Sequence, residues 1–251
     1  YKVYEPIIRK AAGFGAASIK HDKERYEHKY EYCDLLITGS GPSGLASAYA
    51  AAQNGAKVIL AEDKSRFGGS LLTSEVTIGN QSGQEWAEKI ISELKSMPNV
   101  IVKNRSQVFG YYDHNMLVMS ERISDHLPKT EKYSPKQRLW YIRAKEVVIS
   151  SGSIERPLVF GNNDTPGVML SSAAKEYLKS YGVLVGKKPL VFTNNDSGYE
   201  TAIEFKKNGV DPIVLDTRKD PNSEIIKEAK DLNINIKSSY VVVTAKGYKK
   251  V

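Results

Sequence analysis

Cys33 is the whole thiol inventory of this 251-residue chain. A single cysteine excludes an internal disulfide and suits a reducing compartment, so the expected location is cytoplasmic. Histidine is scarce too. The four residues His21, His28, His114 and His126 have no metal-ligand spacing among themselves or with Cys33, and no metal is expected. No apolar run approaches the ~18–20 residues of a membrane-spanning helix, so no membrane partner is expected. A basic stripe is also lacking. The formal net charge is +7, but 36 Lys and Arg are scattered among 29 acids, without the regular aromatic interleaving of a nucleic-acid surface. What remains is ordinary globular composition, 41% hydrophobic and 26% charged, in a chain long enough for two small α/β units with real cores.

Most of the information is concentrated in Leu36-Ile-Thr-Gly39-Ser-Gly41-Pro-Ser-Gly44-Leu-Ala-Ser-Ala48. The apolar run Leu35 to Thr38 reads as a buried strand that breaks at Gly39, and a helix starts near Pro42. Gly39 permits the tight turn, Gly41 lets backbone approach a pyrophosphate, and Gly44 lets helix and strand pack closely. The helix N-terminus would point its unpaired N–H groups, that of Ser43 among them, at the phosphates, and Pro42 suits the first turn, where no N–H is needed. Gly55 closes the helix, and a second strand, Lys57 to Ala61, delivers Glu62 at the spacing of a ribose-binding acid. An acid there favours a free 2′-hydroxyl, hence NAD or FAD over NADP. Asp63 can share the ribose, while Lys64 and Arg66 are the counter-signal. The alternative is a glycine-rich turn that binds nothing. The strand–turn–helix context and the placement of Ala48, Gly55 and Glu62 argue against it.

The same shape recurs in Leu190-Val-Phe-Thr-Asn-Asn-Asp-Ser-Gly198-Tyr-Glu-Thr-Ala202. Aligning Gly44 with Gly198 also aligns Ala48 with Ala202, Gly55 with Gly209 and Glu62 with Asp216, which reads as a second βαβ unit. Thr193 and Asn195 stand where the first loop has Gly39 and Gly41, and Asp196 would repel phosphates at the helix N-terminus. The expectation is a unit that kept its packing and lost its ligand. The predicted fold class is therefore α/β: a Rossmann-like FAD/NAD(P)-binding domain with a second, degenerate Rossmann-like unit inserted.

Further strings carry a family likeness. Lys145-Glu-Val-Val-Ile-Ser-Ser-Gly152 is an apolar strand ending in small residues, and Phe67-Gly68-Gly69-Ser70 supplies paired glycines after the ribose acid, with Leu71 and Leu72 leading away. With the two βαβ units, these resemble the two-dinucleotide-binding-domain flavoproteins. Val108-Phe-Gly-Tyr-Tyr-Asp-His-Asn115, Arg138-Leu-Trp140, the segment Ser153 to Leu170 and Tyr4-Glu-Pro-Ile-Ile-Arg-Lys-Ala-Ala-Gly13 are similar to the α subunits of heterotetrameric sarcosine oxidases.

That resemblance implies NAD⁺ in the first unit, with FAD and FMN elsewhere in a complete assembly of α, β, γ and δ subunits. It implies amine oxidation on the flavins of the β subunit, and overall oxidative demethylation of sarcosine to glycine with O₂ and tetrahydrofolate. NAD⁺ contacts carried over by motif fall at Ser43, Glu62, Asp63, Lys64, Ser70 and Val108. Gly39, Gly41, Pro42, Gly44, Gly69, Leu71, Ser151 and Gly152 complete the expected cofactor-binding set. Two alternatives stay open: an FAD-dependent amine or opine dehydrogenase subunit with flavin at Gly39–Gly44, and a non-catalytic nucleotide-binding scaffold.

The expected organisation is a connector over 1–32, a first dinucleotide-binding domain over 33–182 with a β-rich insertion at about 109–143, and an incomplete second unit over 183–251. A chain starting at Tyr1 and stopping at Val251 is expected to be part of a larger subunit. No catalytic residue is expected. Tyr111, Tyr112, Asp113 and His114, followed by Glu155 and Arg156, are the tempting set; the first four could form a relay but read equally well as a turn between strands, and Arg156-Pro157 shapes the exit from the Ser150–Gly152 strand.

Overall fold

The computed structural model describes residues 3–13, 19–129, 131, 133–247 and 251; Tyr1 and the end of the basic tail, 248–250, lie outside these. A short helix α1 (Glu5–Ala11) buries none of its residues. The first unit then follows as β1 (Tyr26–Thr38), α2 (Pro42–Gln53), β2 (Val58–Ala61), the short hairpin β3 (Thr77–Ile78) and β4 (Gln81–Ser82), α3 (Gly83–Ser96) and β5 (Val100–Lys103). A three-stranded meander comes next: β6 (Ser106–Tyr112), β7 (Met116–Arg122) and β8 (Gln137–Ile149). These strands make one six-stranded sheet in the order β5-β2-β1-β8-β7-β6. The half from β5 to β8 is parallel, and β8, β7 and β6 pair antiparallel.

The first strand is longer than the reading Leu35 to Thr38. It begins at Tyr26 because Tyr26 to Cys33 pair in register with Gln137 to Ala144 of β8. This half has no continuous apolar run, since its backbone is held by a partner far along the chain rather than by burial of both faces.

The sheet has a core on each side. Leu45, Ala48 and Ala52 of α2 pack with Ile90, Ile91 and Leu94 of α3 against Ile37, Val58 and Leu60. On the opposite face Cys33, Leu36, Ile59 and Ala61 meet Leu117, Met119, Trp140 and Ile142, because the meander folds back over the parallel half. Burial pushes the Cys33 thiol up to about 12, which makes it a packing residue and not a nucleophile. Helix α3 starts in a capping box: Ser82 Oγ accepts from the Glu85 N–H and the Glu85 carboxylate accepts from the Ser82 N–H.

Helix α4 (Ser171–Tyr181) leads to the second unit: β9 (Leu190–Thr193), α5 (Ser197–Lys207), β10 (Ile213–Asp216), α6 (Glu224–Asp231) and β11 (Asn235–Ser238). Its three parallel strands run β11-β10-β9, the same order as β5-β2-β1. The predicted α/β class and both Rossmann-like units are present. Asp113 to Asn115 form the turn between β6 and β7, with His114 and Asn115 both at positive φ.

Candidate functional site

Parallel strands leave a crevice beyond their carboxyl ends, where helix N-termini and loops converge. Here the ends of β1, β2 and β8, the starts of α2 and β6 and the loop after β2 enclose a cleft of about 580 Å³. The turn at its floor is made by close backbone approach. Gly39 has φ +98°, and a Cβ on it would lie 2.3 Å from the Ser150 carbonyl oxygen. A Cβ on Gly44 would lie 2.0 Å from the Gly39 carbonyl oxygen, so α2 sits directly on the turn. Ser150 Oγ locks β8 to this turn by donating to the Thr38 and Gly39 carbonyls, at 2.9 and 2.8 Å.

Gly41 differs from the other two glycines. Its φ is an ordinary −67°, and a Cβ on it would meet nothing within 4 Å. The protein's own packing therefore does not require glycine at this position; it leaves room for a group lying against the backbone. Gly69 packs behind it, where an added Cβ would be 2.8 Å from the Gly41 Cα. Ser43 follows Pro42 in the first turn of α2, so its N–H and those beside it face the cleft without intrahelical partners. This cradle of bare backbone, helix N-terminus and the Ser43 and Ser70 hydroxyls fits a pyrophosphate.

Glu62 stands at the end of β2, 7% exposed, on the cleft wall. Its carboxylate is positioned by three donors: the Ser40 N–H at 2.9 Å, the Ser40 hydroxyl at 2.5 Å and the Lys64 N–H at 3.0 Å. A carboxylate so held keeps acceptor capacity for a diol at the cleft rim. Burial, and then the adjacent Glu62 carboxylate, raise the Asp63 carboxyl above its usual range. The Lys64 ammonium is turned away to Glu176 on α4, at 2.7 Å. One of the two cations that argued for a 2′-phosphate is thus already paired.

The cleft wall gathers Gly39, Gly41, Pro42 and Ser43 from the turn, and Glu62, Asp63 and Lys64 from the end of β2. Gly69, Ser70, Val108, Ser151 and Gly152 join them. Two expected residues stay out of the wall. Gly44 is buried beneath the turn, and Leu71 points into the core between α2 and α3, where it packs on Gly83. Sequence reasoning passed over Ser40, Ser106, Gln107 and Ser153, which also line the cleft. Ser40 occupies a variable position of the glycine motif, and its role depends on Glu62, 22 residues further on. The Tyr111 hydroxyl donates to Asn115 rather than to Asp113 or His114, and Asp113 to Asn115 form the turn between β6 and β7. The Glu155 carboxylate accepts from the Ser172 N–H and thereby caps α4.

Residues 34–119 match the family model described as FAD dependent oxidoreductase. The chain is 45% identical over 218 residues to the sarcosine oxidase subunit alpha of Rhizobium meliloti (strain 1021), covering 86% of this chain and 22% of that protein. It is 37% identical over 209 residues to the subunit of the same name from Corynebacterium sp. (strain P-1), covering 82% of this chain and again 22% of the relative. The chain thus spans about a fifth of the length of these relatives. Among solved structures, the L-proline dehydrogenase of P. horikoshii superposes with a TM-score of 0.61 at 23% identity, covering 82% of this chain and 40% of that one. That likeness speaks for the fold alone.

Proposed function

The chain is a homologue of sarcosine oxidase α subunits over most of its length, and from that premise we propose that it is the NAD⁺-holding segment of such a subunit. The observation that carries this reading is the pairing of Gly41 with Glu62. One leaves bare backbone and space for a pyrophosphate, and the other presents a pre-oriented buried carboxylate for the adenosine ribose. The Val108 backbone would face the adenine, and Ser43 and Ser70 the phosphates. Ser151 and Gly152 would border the far half of the dinucleotide.

In this role the segment binds and orients, and chemistry belongs to other parts of the assembly. The whole enzyme would be a cytoplasmic heterotetramer that oxidatively demethylates sarcosine to glycine, using O₂ and tetrahydrofolate. Amine oxidation would take place on flavins of the β subunit, with FAD and FMN both bound outside this segment. This fits the site's own residues. Its buried carboxylate, Glu62, is held by Ser40 and the Lys64 amide as an acceptor, a binding arrangement rather than that of a base activating a nucleophile. A second reading places FAD in the same cleft, as in an FAD-dependent amine or opine dehydrogenase subunit, and the family model's description favours it.

Nucleotide identity separates the two. The complete assembly is purified and denatured, and the released nucleotides are identified by visible absorbance and mass. The measurement is then repeated with Gly41→Val. Loss of NAD⁺ alone from the variant, with both flavins retained, supports the NAD⁺ reading. Loss of FAD from the variant would replace it with the second.

A further inference from the structure

Among the described residues that line the cleft, Lys64 is the single cation. Its backbone is pinned on both sides: the N–H donates to Glu62 at 3.0 Å, and the carbonyl accepts from the Arg105 N–H at 2.9 Å. The ammonium rides on a flexible four-carbon stem, so a partner beyond the backbone decides where its charge lies. That partner is Glu176, 2.7 Å away on α4 and 112 residues later in the chain. The hydrogen bond to Glu176 raises the Lys64 ammonium above its usual range, against an opposing effect of burial. Arg66, the other cation of the sequence signal, is not among the residues lining the cleft, and Arg122 donates to the Asp63 carbonyl at 2.9 Å. Helix α4 is held in turn by the second unit. Ala174 and Leu178 pack on Phe205, Lys179 reaches Glu204 at 2.7 Å, and Ser171 Oγ lies 3.1 Å from Thr201 Oγ1. The second unit thereby sets where Glu176 stands.

The position of this charge bears on the 2′ carbon of the ribose. Glu62 suits a 2′-hydroxyl as an acceptor and repels a 2′-phosphate, which needs a cation to offset that repulsion. Lys64, rooted beside the Glu62 carboxylate, could supply that cation, and Glu176 has taken it. We propose that Glu176 is a positioning residue for cofactor selection: by drawing the Lys64 ammonium to α4, it keeps the cleft selective for a dinucleotide with a free 2′-hydroxyl over its 2′-phosphorylated counterpart. The proposal rests on the NAD⁺ reading above. The side chains are 54% exposed for Lys64 and 39% for Glu176, so the pair's worth to stability is small. Its effect is instead local and electrostatic. It decides whether a 2′-phosphate meets the carboxylates of Glu62 and Asp63 alone or meets them together with an ammonium.

The test uses the complete assembly as wild type and with Glu176→Gln, with Glu176→Gln and Lys64→Met together, or with Glu200→Gln. The last removes the ion pair between Lys175 of α4 and Glu200 of α5 and leaves Lys64 untouched. Each protein is equilibrated with equal amounts of NAD⁺ and NADP⁺, freed of unbound nucleotide and denatured, and the two nucleotides are counted by mass. Glu176→Gln should raise the ratio of NADP⁺ to NAD⁺ about fivefold, the worth of one exposed ion pair. Adding Lys64→Met should return the ratio to the wild-type value, and Glu200→Gln should leave it there. An unchanged ratio in Glu176→Gln, with NAD⁺ bound by the wild type, overturns the proposal and leaves the NAD⁺ reading intact. A rise that persists when Lys64 is replaced overturns it too, because Glu176 would then act by its own charge. An equal rise in Glu200→Gln also overturns it, tracing the effect to a loosened α4 and not to the pair. If the wild type holds neither nucleotide, the NAD⁺ reading itself fails and this proposal falls with it.

Discussion

The two βαβ units share an architecture and differ in what fills the space above the turn. In the first, a Cβ on Gly44 would strike the backbone carbonyl of Gly39, so the turn is closed by main chain against main chain and the volume above it stays open. In the second, a Cβ on Gly198 would strike the side chain of Thr193, 2.7 Å from its Cβ, because threonine has replaced the first glycine. The acids at the ends of the second strands diverge in the same way. Glu62 faces the cleft, held by Ser40 and the Lys64 amide. Asp216 is fully buried and receives the Tyr199 hydroxyl at 2.8 Å and Arg218 Nη2 at 2.7 Å. Burial raises the Asp216 carboxyl, but Arg218 and Tyr199 outweigh it and hold the group below its usual range. Arg218 also reaches Asp196 at the start of α5, at 2.8 Å. A Tyr–Asp–Arg–Asp cluster thus occupies the region where the first unit presents a carboxylate to the cleft. The lesson is that a Rossmann unit can retain its packing glycine and its acid and still commit that acid to its own side chains.

The comparison can be broken most severely at the paired glycines. Gly44→Val should prevent folding of the first unit, because the obstruction is backbone that cannot yield. Gly198→Ala should cost about 1–3 kcal/mol and be largely rescued by adding Thr193→Gly, since there the obstruction is a side chain. Urea denaturation of the four proteins decides this, and absence of rescue would show the two turns to be alike. Gly41→Val comes next. It should lower nucleotide retention at least about a hundredfold, a loss of ~3 kcal/mol of binding, while the melting temperature of nucleotide-free protein stays unchanged. A variant that keeps its nucleotide would remove the cleft from the argument.

Arg218→Ala tests the second unit. It leaves Asp216 buried without its cation and should cost about 3 kcal/mol of stability, with nucleotide content untouched. Nucleotide loss from a folded Arg218→Ala protein would restore a binding role to the second unit. The smallest effect concerns how the units are joined. Glu75, in the loop before β3, meets Lys207 of α5 at 3.0 Å and Lys179 of α4 at 3.2 Å. Hydrogen bonds from these two ammonium groups, that of Lys207 first, hold its carboxyl down at about 2 against the usual 4.5. A lowered acid stabilises the fold above its unfolded pKa and loses that contribution as pH falls through the folded one. The Glu75 contribution should therefore be complete above about pH 4.5 and fade toward pH 2, and Glu75→Gln should flatten acid denaturation only in that window.

Legibility in the sequence followed range. The turn Gly39 to Gly44, helix α2 and strand β2 could be read directly because their determinants lie within a few residues of one another. Glu62 was found by its distance from the motif, and the substitutions at Thr193 and Asn195 marked the second loop as altered. Tyr26 to Tyr32 read as a connector because strand formation there depends on β8, more than 100 residues later. Leu71 stood in the expected cofactor-binding set, and the tight turn there directs its apolar side chain to the core. Ser40 was missed because only folding brings it onto Glu62.

What the sequence determined by itself is the dinucleotide-binding turn, its internal repeat and the likeness to sarcosine oxidase α subunits, all written in short strings of local geometry. Only the tertiary structure decided that Gly41 faces open space while Gly44 faces backbone, that Lys64 is committed to Glu176, and that Arg218 and Tyr199 enclose Asp216. The physical reason is that backbone conformation answers to neighbours along the chain. Room for a ligand and the pairing of a charge answer to residues that only packing brings within a few ångströms.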